Sequence, residues 1–197
     1  MKLKVARSLG LVLIGLFFTG CATSRLTQLN DVGQNEAIAV ARFRFVYNGE
    51  VVTKGCNVIF DPIPAFIGPV KNQYILFDES GYVFMKLPAG VNSIRIVIHK
   101  SGLMQHHFQP EELTCQLRGD GVINYIGDVT FNWDGMGSGS AVGVTALTGV
   151  IGGSFLTGGK IAVSVESNKD AAQTAFRQKF PTAQDVTPSL LSVKPRK

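Results

Sequence analysis

From Ala37 onward, apolar and polar residues alternate in short runs divided by turn-forming residues. Over Ala37–Tyr47 one parity carries Ala41, Phe43, Phe45 and Tyr47, and the other carries Val40, Arg42, Arg44 and Val46. A period of two sends one set inward and the other outward, so this run predicts a strand. Asn48-Gly49 follows, and both residues tolerate the positive φ that a tight hairpin needs. Val51–Phe60 reads as a second strand ending at Asp61-Pro62, while Ala65–Asn72, with Gly68 and Pro69, reads as a loop. Tyr74–Phe77 and Tyr82–Leu87 form a predicted pair around Asp78-Glu79-Ser80-Gly81. Val91–His99 adds a strand with Ile94, Ile96 and Ile98 on one face. Phe108, Leu113–Leu117, Val122–Trp133 and Lys160–Glu166 supply the rest. Short strands at this spacing predict a β-sandwich rather than βαβ units.

One segment, 168–180, has helical spacing. Ser167 or Asn168 stands at its cap, Asp170 near its positive end, and Pro181 stops it. Ala172, Ala175, Phe176 and Lys179 share a face, which predicts Phe176 packed on the sandwich. Beyond it, Pro188, Pro195 and the basic residues of 192–197 read as an extended tail.

The first residues have another texture. Lys2, Lys4 and Arg7 form a basic head, Leu9–Phe18 an apolar run, and Phe18-Thr19-Gly20-Cys21 puts small residues before a thiol. The apolar run falls short of the ~20 residues that span a bilayer. Small residues beside a cut are the usual logic of a secretory leader. The segment resembles a bacterial lipobox, with Phe18 where that pattern most often has Leu. The resemblance implies a signal peptide over 1–20 and a lipid on Cys21. Ala22 follows the lipidated position, and by resemblance to the Gram-negative sorting rule the absence of Asp there implies the outer membrane. Residues 21–36, polar and without period, read as a lipidated tether with too little apolar surface to order itself.

Removing the leader changes the charge. The chain carries +5, but Lys2, Lys4 and Arg7 supply three of those charges, which leaves +2 on the mature side chains. The remaining cluster, Lys194, Arg196 and Lys197, has no interleaved aromatics, so a nucleic-acid partner has no support. Export to an oxidising compartment permits disulfides. Cys56 and Cys115 are then either a bridge or two separately buried thiols, and the sequence leaves both open.

Gly81-Tyr82-Val83-Phe84-Met85-Lys86-Leu87-Pro88-Ala89-Gly90, followed by a strand, resembles a transthyretin-like or carboxypeptidase regulatory-like β-sandwich. Tyr125-Ile126-Gly127-Asp128, the late helix and Phe180-Pro181 resemble bacterial envelope lipoproteins of unknown function with such a domain. The resemblance covers 37–191. It implies a mainly β, Ig-like/transthyretin-like fold with one C-terminal helix, and it brings no catalytic residues.

A glycine-rich insertion interrupts that domain. No charged side chain stands between Met136 and Gly159. Gly135, Gly139 and Gly143 recur every fourth residue, and Gly149 and Gly153 repeat the spacing. In an apolar helix this stripe admits close approach of a second helix, which makes the segment a candidate for membrane insertion or self-association. Against that, each glycine costs about 1 kcal/mol relative to alanine within a helix, and the segment reads first as a flexible or β-hairpin excursion linking the strand that ends at Trp133 to Lys160–Glu166, with a small-ligand loop as a further reading. Gly153–Lys160 resembles a phosphate loop only in part, because Ile161 occupies the hydroxyl position.

Other chemistry is thin. His99, His106 and His107 with Met104 include soft and imidazole donors that suit copper. Neighbours on one strand face opposite ways, however, so His106 and His107 do not converge without a bend. No nucleophile stands beside a base. The expectation is a non-enzymatic, lipid-anchored envelope module without cofactor, contacting the membrane through its lipid and another envelope protein through its sandwich face or its insertion. The alternative is a lipoprotein that inserts or self-associates through its glycine-rich segment.

Overall fold

The computed structural model describes residues 25–52, 56–61, 74–76, 80–99, 104–134 and 160–194. The leader expected over 1–20, Cys21, the loop expected over Ala65–Asn72, and Gly135, Gly139, Gly143, Gly149 and Gly153 lie outside the described residues. The fold is mainly β, two sheets packed face to face with one α-helix among the described residues.

The first sheet is built on β1 (Glu36–Tyr47) and β9 (Ile123–Asp134), which run parallel along nearly their whole length. On the far side of β1 lie β5 (Tyr82–Pro88), against its first half, and β2 (Glu50–Val52), against its end. The far side of β9 is likewise shared, by β10 (Lys160–Glu166) and β11 (Val186–Pro188). The second sheet centres on β6 (Gly90–His99). It pairs with β3 (Asn57–Phe60), which pairs with β4 (Tyr74–Leu76). It also pairs with β7 (Met104–His107) and β8 (Leu113–Leu117), and β12 (Ser192–Val193) completes the edge beside β8.

The parity read from β1 explains the core. Ala37, Ala39, Ala41, Phe43 and Phe45 face the second sheet and meet Val58, Phe60, Ile94, Val97, Leu113 and Leu117, with Phe131 and Trp133 fully buried beside them. The opposite parity is also covered, because α1 (Lys169–Lys179) lies on the outer face of the first sheet. Ile38 and Val40 of β1 and Ile123 and Tyr125 of β9 pack there against Ala172, Phe176 and Phe180. Asp170 in the first turn and Arg177 and Lys179 in the last suit the helix dipole.

Several local expectations change. Val51–Phe60 is not one strand: β2 belongs to the first sheet and β3 to the second. Tyr74–Leu76 and Tyr82–Pro88 are not paired, since β4 joins β3 and β5 joins β1. A Ser80-Gly81 reversal serves an arch between sheets as well as a hairpin, so turn chemistry did not choose the partner. Ile94, Ile96 and Ile98 do not share a face. The register shifts between Ile59 and Phe60, so that Ile94 enters the main core while Ile96 and Ile98 join Ile59 in a separate cluster. Asn48 and Gly49 do take positive φ, 50° and 82°, and link Tyr47 to Glu50.

The two ends of the domain also differ from expectation. The tether read over 21–36 is docked from Arg25 onward: Arg25 bridges Met85, the Leu26 amide donates to the Phe84 carbonyl at 2.8 Å, and Leu26 is 0% exposed. Lys86 Nζ donates to the Asp31 carbonyl, and the Ala89 amide to that of Asn35. After α1 the chain pairs as β11, then crosses at buried Leu191 to pair as β12, so Ser192 and Val193 belong to the second sheet rather than to a free tail.

Candidate functional site

The outer face of the first sheet carries a polar row where helical cover ends. The register sets Tyr82 of β5 beside Arg42 of β1, Arg42 beside Asp128 of β9, and Asp128 beside Glu166 of β10. The Asp128 position depends on a bulge. Between Val40 and Ala41 the pairing skips a residue, which turns Tyr125 outward under the helix and Ile126 inward to the core. Gly127 takes φ +113°, and a Cβ there would lie 2.6 Å from Val165 Cγ1, so no other residue fits. The Tyr125-Ile126-Gly127-Asp128 motif is thus a device that aims two side chains.

Those two hold each other. The Tyr125 hydroxyl donates to Asp128 Oδ1 at 2.7 Å and accepts from the Asn168 amide at 3.0 Å. Asn168 stands at the helix cap as expected but makes no side-chain capping bond, and the tyrosine ties the helix start to the sheet instead. Burial, together with the bond to Asp128, raises the pKa of Tyr125 above the ordinary phenol value. Arg42 reaches Asp128 at 3.7 Å and lies 5.4 Å over the Tyr82 ring.

Between this row and α1 opens a groove of about 950 Å³. Asp170, Thr174 and Gln178, each four apart, form its helical wall, and small Ala171 and Ala175 let the backbone come close. Tyr82 and Phe84 form the floor. Lys179 Nζ stands 5.3 Å from the Phe84 ring and 5.5 Å from that of Phe180. Arg25 closes the remaining side and makes no ion pair among the described residues. Three cations and one carboxylate therefore line the groove. The Tyr82 hydroxyl is buried without a hydrogen-bond partner among the described residues. Burial first, then the Asp128 charge, raises its pKa, against the opposing effect of Arg42. It is a proton donor at neutral pH.

The sequence-chosen candidates sit elsewhere. Cys56 and Cys115 are free, buried thiols, and the bridge gives way to the separate-thiol reading. The reason is topological. Cys56 lies against His99 at one end of β6, Cys115 pairs with Asn92 near the other, and β6 runs between them. Two strand spacings and about seven residue steps put the pair on the order of 25 Å apart, far beyond the reach of a disulfide. Cys56 Sγ meets His99 Nδ1 at 3.4 Å, with the imidazole between Phe45 and Tyr47. Burial pushes the Cys56 thiol from 9.0 up to about 12, the opposite of the shift that makes a nucleophile.

The histidines separate as alternation requires. His106 pairs with core-facing Val97 and packs its ring on Phe108, while His107 pairs with Ile96 on the other face. Among the described residues no three His, Cys, Asp or Glu side chains are grouped to hold a metal ion. The groove residues were not singled out as a site from the sequence. Arg42 was visible only as one of two arginines, with Arg44, on the parity of β1 opposite Phe43 and Phe45. Comparison with family models, curated proteins and solved structures finds no match.

Proposed function

We propose that the protein is a lipid-anchored, non-enzymatic β-sandwich of the cell envelope, a binding module whose contact site is the groove beside α1. The carrying observation is the course of Arg25 and Leu26. The chain enters the domain along the β5 edge and places a cation in the groove lining, four residues after the lipobox-like cysteine. Phenols held protonated and a thiol held neutral are features of binding and packing rather than of acid–base or nucleophilic work. The lipobox resemblance supports the anchor, and Ala22 supports the outer membrane as its address.

Metabolic labelling with palmitate, followed by mass spectrometry of the mature N-terminus, tests the anchor. Wild type is expected to carry diacylglycerol on Cys21, and Cys21→Ser to lose both label and membrane association. An unmodified Cys21 would overturn the reading. Retention of Cys21→Ser in membranes after an alkaline wash, abolished by deleting Met136–Gly159, would move the function to the glycine-rich segment.

A further inference from the structure

The groove has a charge, a floor and a position, and together they select an occupant. Its cations differ in exposure. Arg42 is committed to Asp128 and to the Tyr82 ring. Arg25 and Lys179 are exposed at the rim, and Asp170 is the one acidic side chain in the lining. The guanidinium of Arg25 offers a planar fork of donors that matches the paired oxygens of a phosphodiester. Tyr82 and Phe84 give an amphipathic and an aromatic surface, the chemistry enriched where protein meets the headgroup layer.

Position makes the source of the phosphate specific. Arg25 is fixed on β5 by its bridge to Met85, and Leu26 by its bond to Phe84 and complete burial. Only Ala22, Thr23 and Ser24 separate it from Cys21. Four residue steps reach about 14 Å even when fully extended. On the reading that Cys21 is lipidated, the groove rim cannot leave the neighbourhood of the headgroups. By comparison β1 alone, at 12 residues, is about 40 Å long.

We propose that the groove seats the phosphate headgroup of an anionic phospholipid from the leaflet that carries the anchor. The lipid chain alone would leave the domain free to rotate. A headgroup held by Arg25 and Lys179 over the Tyr82 and Phe84 rings lays the outer face of the first sheet against the bilayer. The second sheet, packed on the opposite face, is then turned outward.

The test uses the full mature chain with Cys21→Ser, secreted under an ordinary cleavable leader, so that it does not depend on lipidation. Co-sedimentation is measured with vesicles of phosphatidylcholine alone and of phosphatidylcholine with phosphatidylglycerol. Binding to the anionic vesicles only, reversed by salt, is expected. Arg25→Gln and Lys179→Gln, both at exposed positions, are each expected to weaken it about fivefold while the protein stays folded at the assay temperature. Equal binding to both vesicles, or anionic binding unchanged in the double variant, overturns the proposal. Inorganic phosphate that displaces the protein at concentrations matching the headgroup would assign the groove to a soluble anion and also overturn it. An unmodified Cys21 by mass spectrometry, with vesicle binding intact, would remove the anchor and leave the groove assignment standing.

Discussion

Single residues in this protein carry more of the architecture than their chemistry advertises. Asn124 is fully buried, and its amide donates to the carbonyls of Ile38, Arg118 and Val122 while its oxygen accepts from the Arg118 amide and Ser189 hydroxyl. It ties the start of β9 to β1, to the end of β8 and to the β11 exit. The thiols are held with equal consequence. Burial raises both Cys56 and Cys115 from 9.0 to about 12. Below pH 9 the thiols are protonated in folded and unfolded chains alike, and they leave stability independent of pH. Above 9 the unfolded chain ionises while the native thiols keep their protons, so stability falls as pH rises from about 9 toward 12. The slope is expected to shrink in Cys56→Ala/Cys115→Ala, measured as urea midpoints across that range. Thiol titration of the Cys21→Ser protein without reductant should find neither remaining cysteine in the native state and both in denaturant. A bridged protein would show neither in both.

At the scale of elements, the decisive contact is between α1 and the first sheet. Phe176 is fully buried and meets Phe84 edge-on at 5.4 Å and Phe180 at 4.9 Å. Removing that ring leaves a cavity beneath the helix, and Phe176→Ala is expected to cost about 3–5 kcal/mol, read as a lowered urea midpoint at unchanged slope. Gln178→Ala, on the exposed wall of the groove, should leave the midpoint in place. The helix was legible in the sequence because its period, its acidic first turn and Pro181 agree. So were β1, β8 and β9, whose alternation is long or strict. Pairing was not legible. Gly81 and the Leu87-Pro88-Ala89-Gly90 turn announce reversals, but whether a reversal returns to its own sheet or crosses to the other depends on burial across the whole core. β11 and β12 were missed because strands this short, held by neighbours on one side, have no period of their own. The groove escaped for a similar reason. Its cations, Arg25, Arg42 and Lys179, come from three distant segments, and no local spacing joins them.

For the whole molecule, on the proposed lipid anchor at Cys21, the consequence of the docked N-terminal segment is a short leash. Residues 25–35, free, would add roughly 35 Å of reach, enough to lift the sandwich clear of the headgroups. Docked, they add almost none. Leu26 is the residue that holds the segment down, since its side chain enters the cluster under α1 and its amide binds Phe84. Leu26→Ala is expected to weaken the docking by about 3 kcal/mol, which speeds amide exchange at Leu26 about a hundredfold. The global midpoint should move far less, because the segment lies at the open edge of β5 and the main core between the sheets does not include it. Orientation should change with it. In the lipidated protein reconstituted with anionic lipid, a fluorophore on Ser167→Cys, exposed beside the helix start, would be quenched by headgroup nitroxides more than one on Gln116→Cys, exposed on the second sheet. Leu26→Ala should bring the two toward equality by lengthening the tether. If the difference persists, the groove alone orients the domain. If it is absent in wild type, the domain tumbles on its lipid, and the first sheet does not face the membrane.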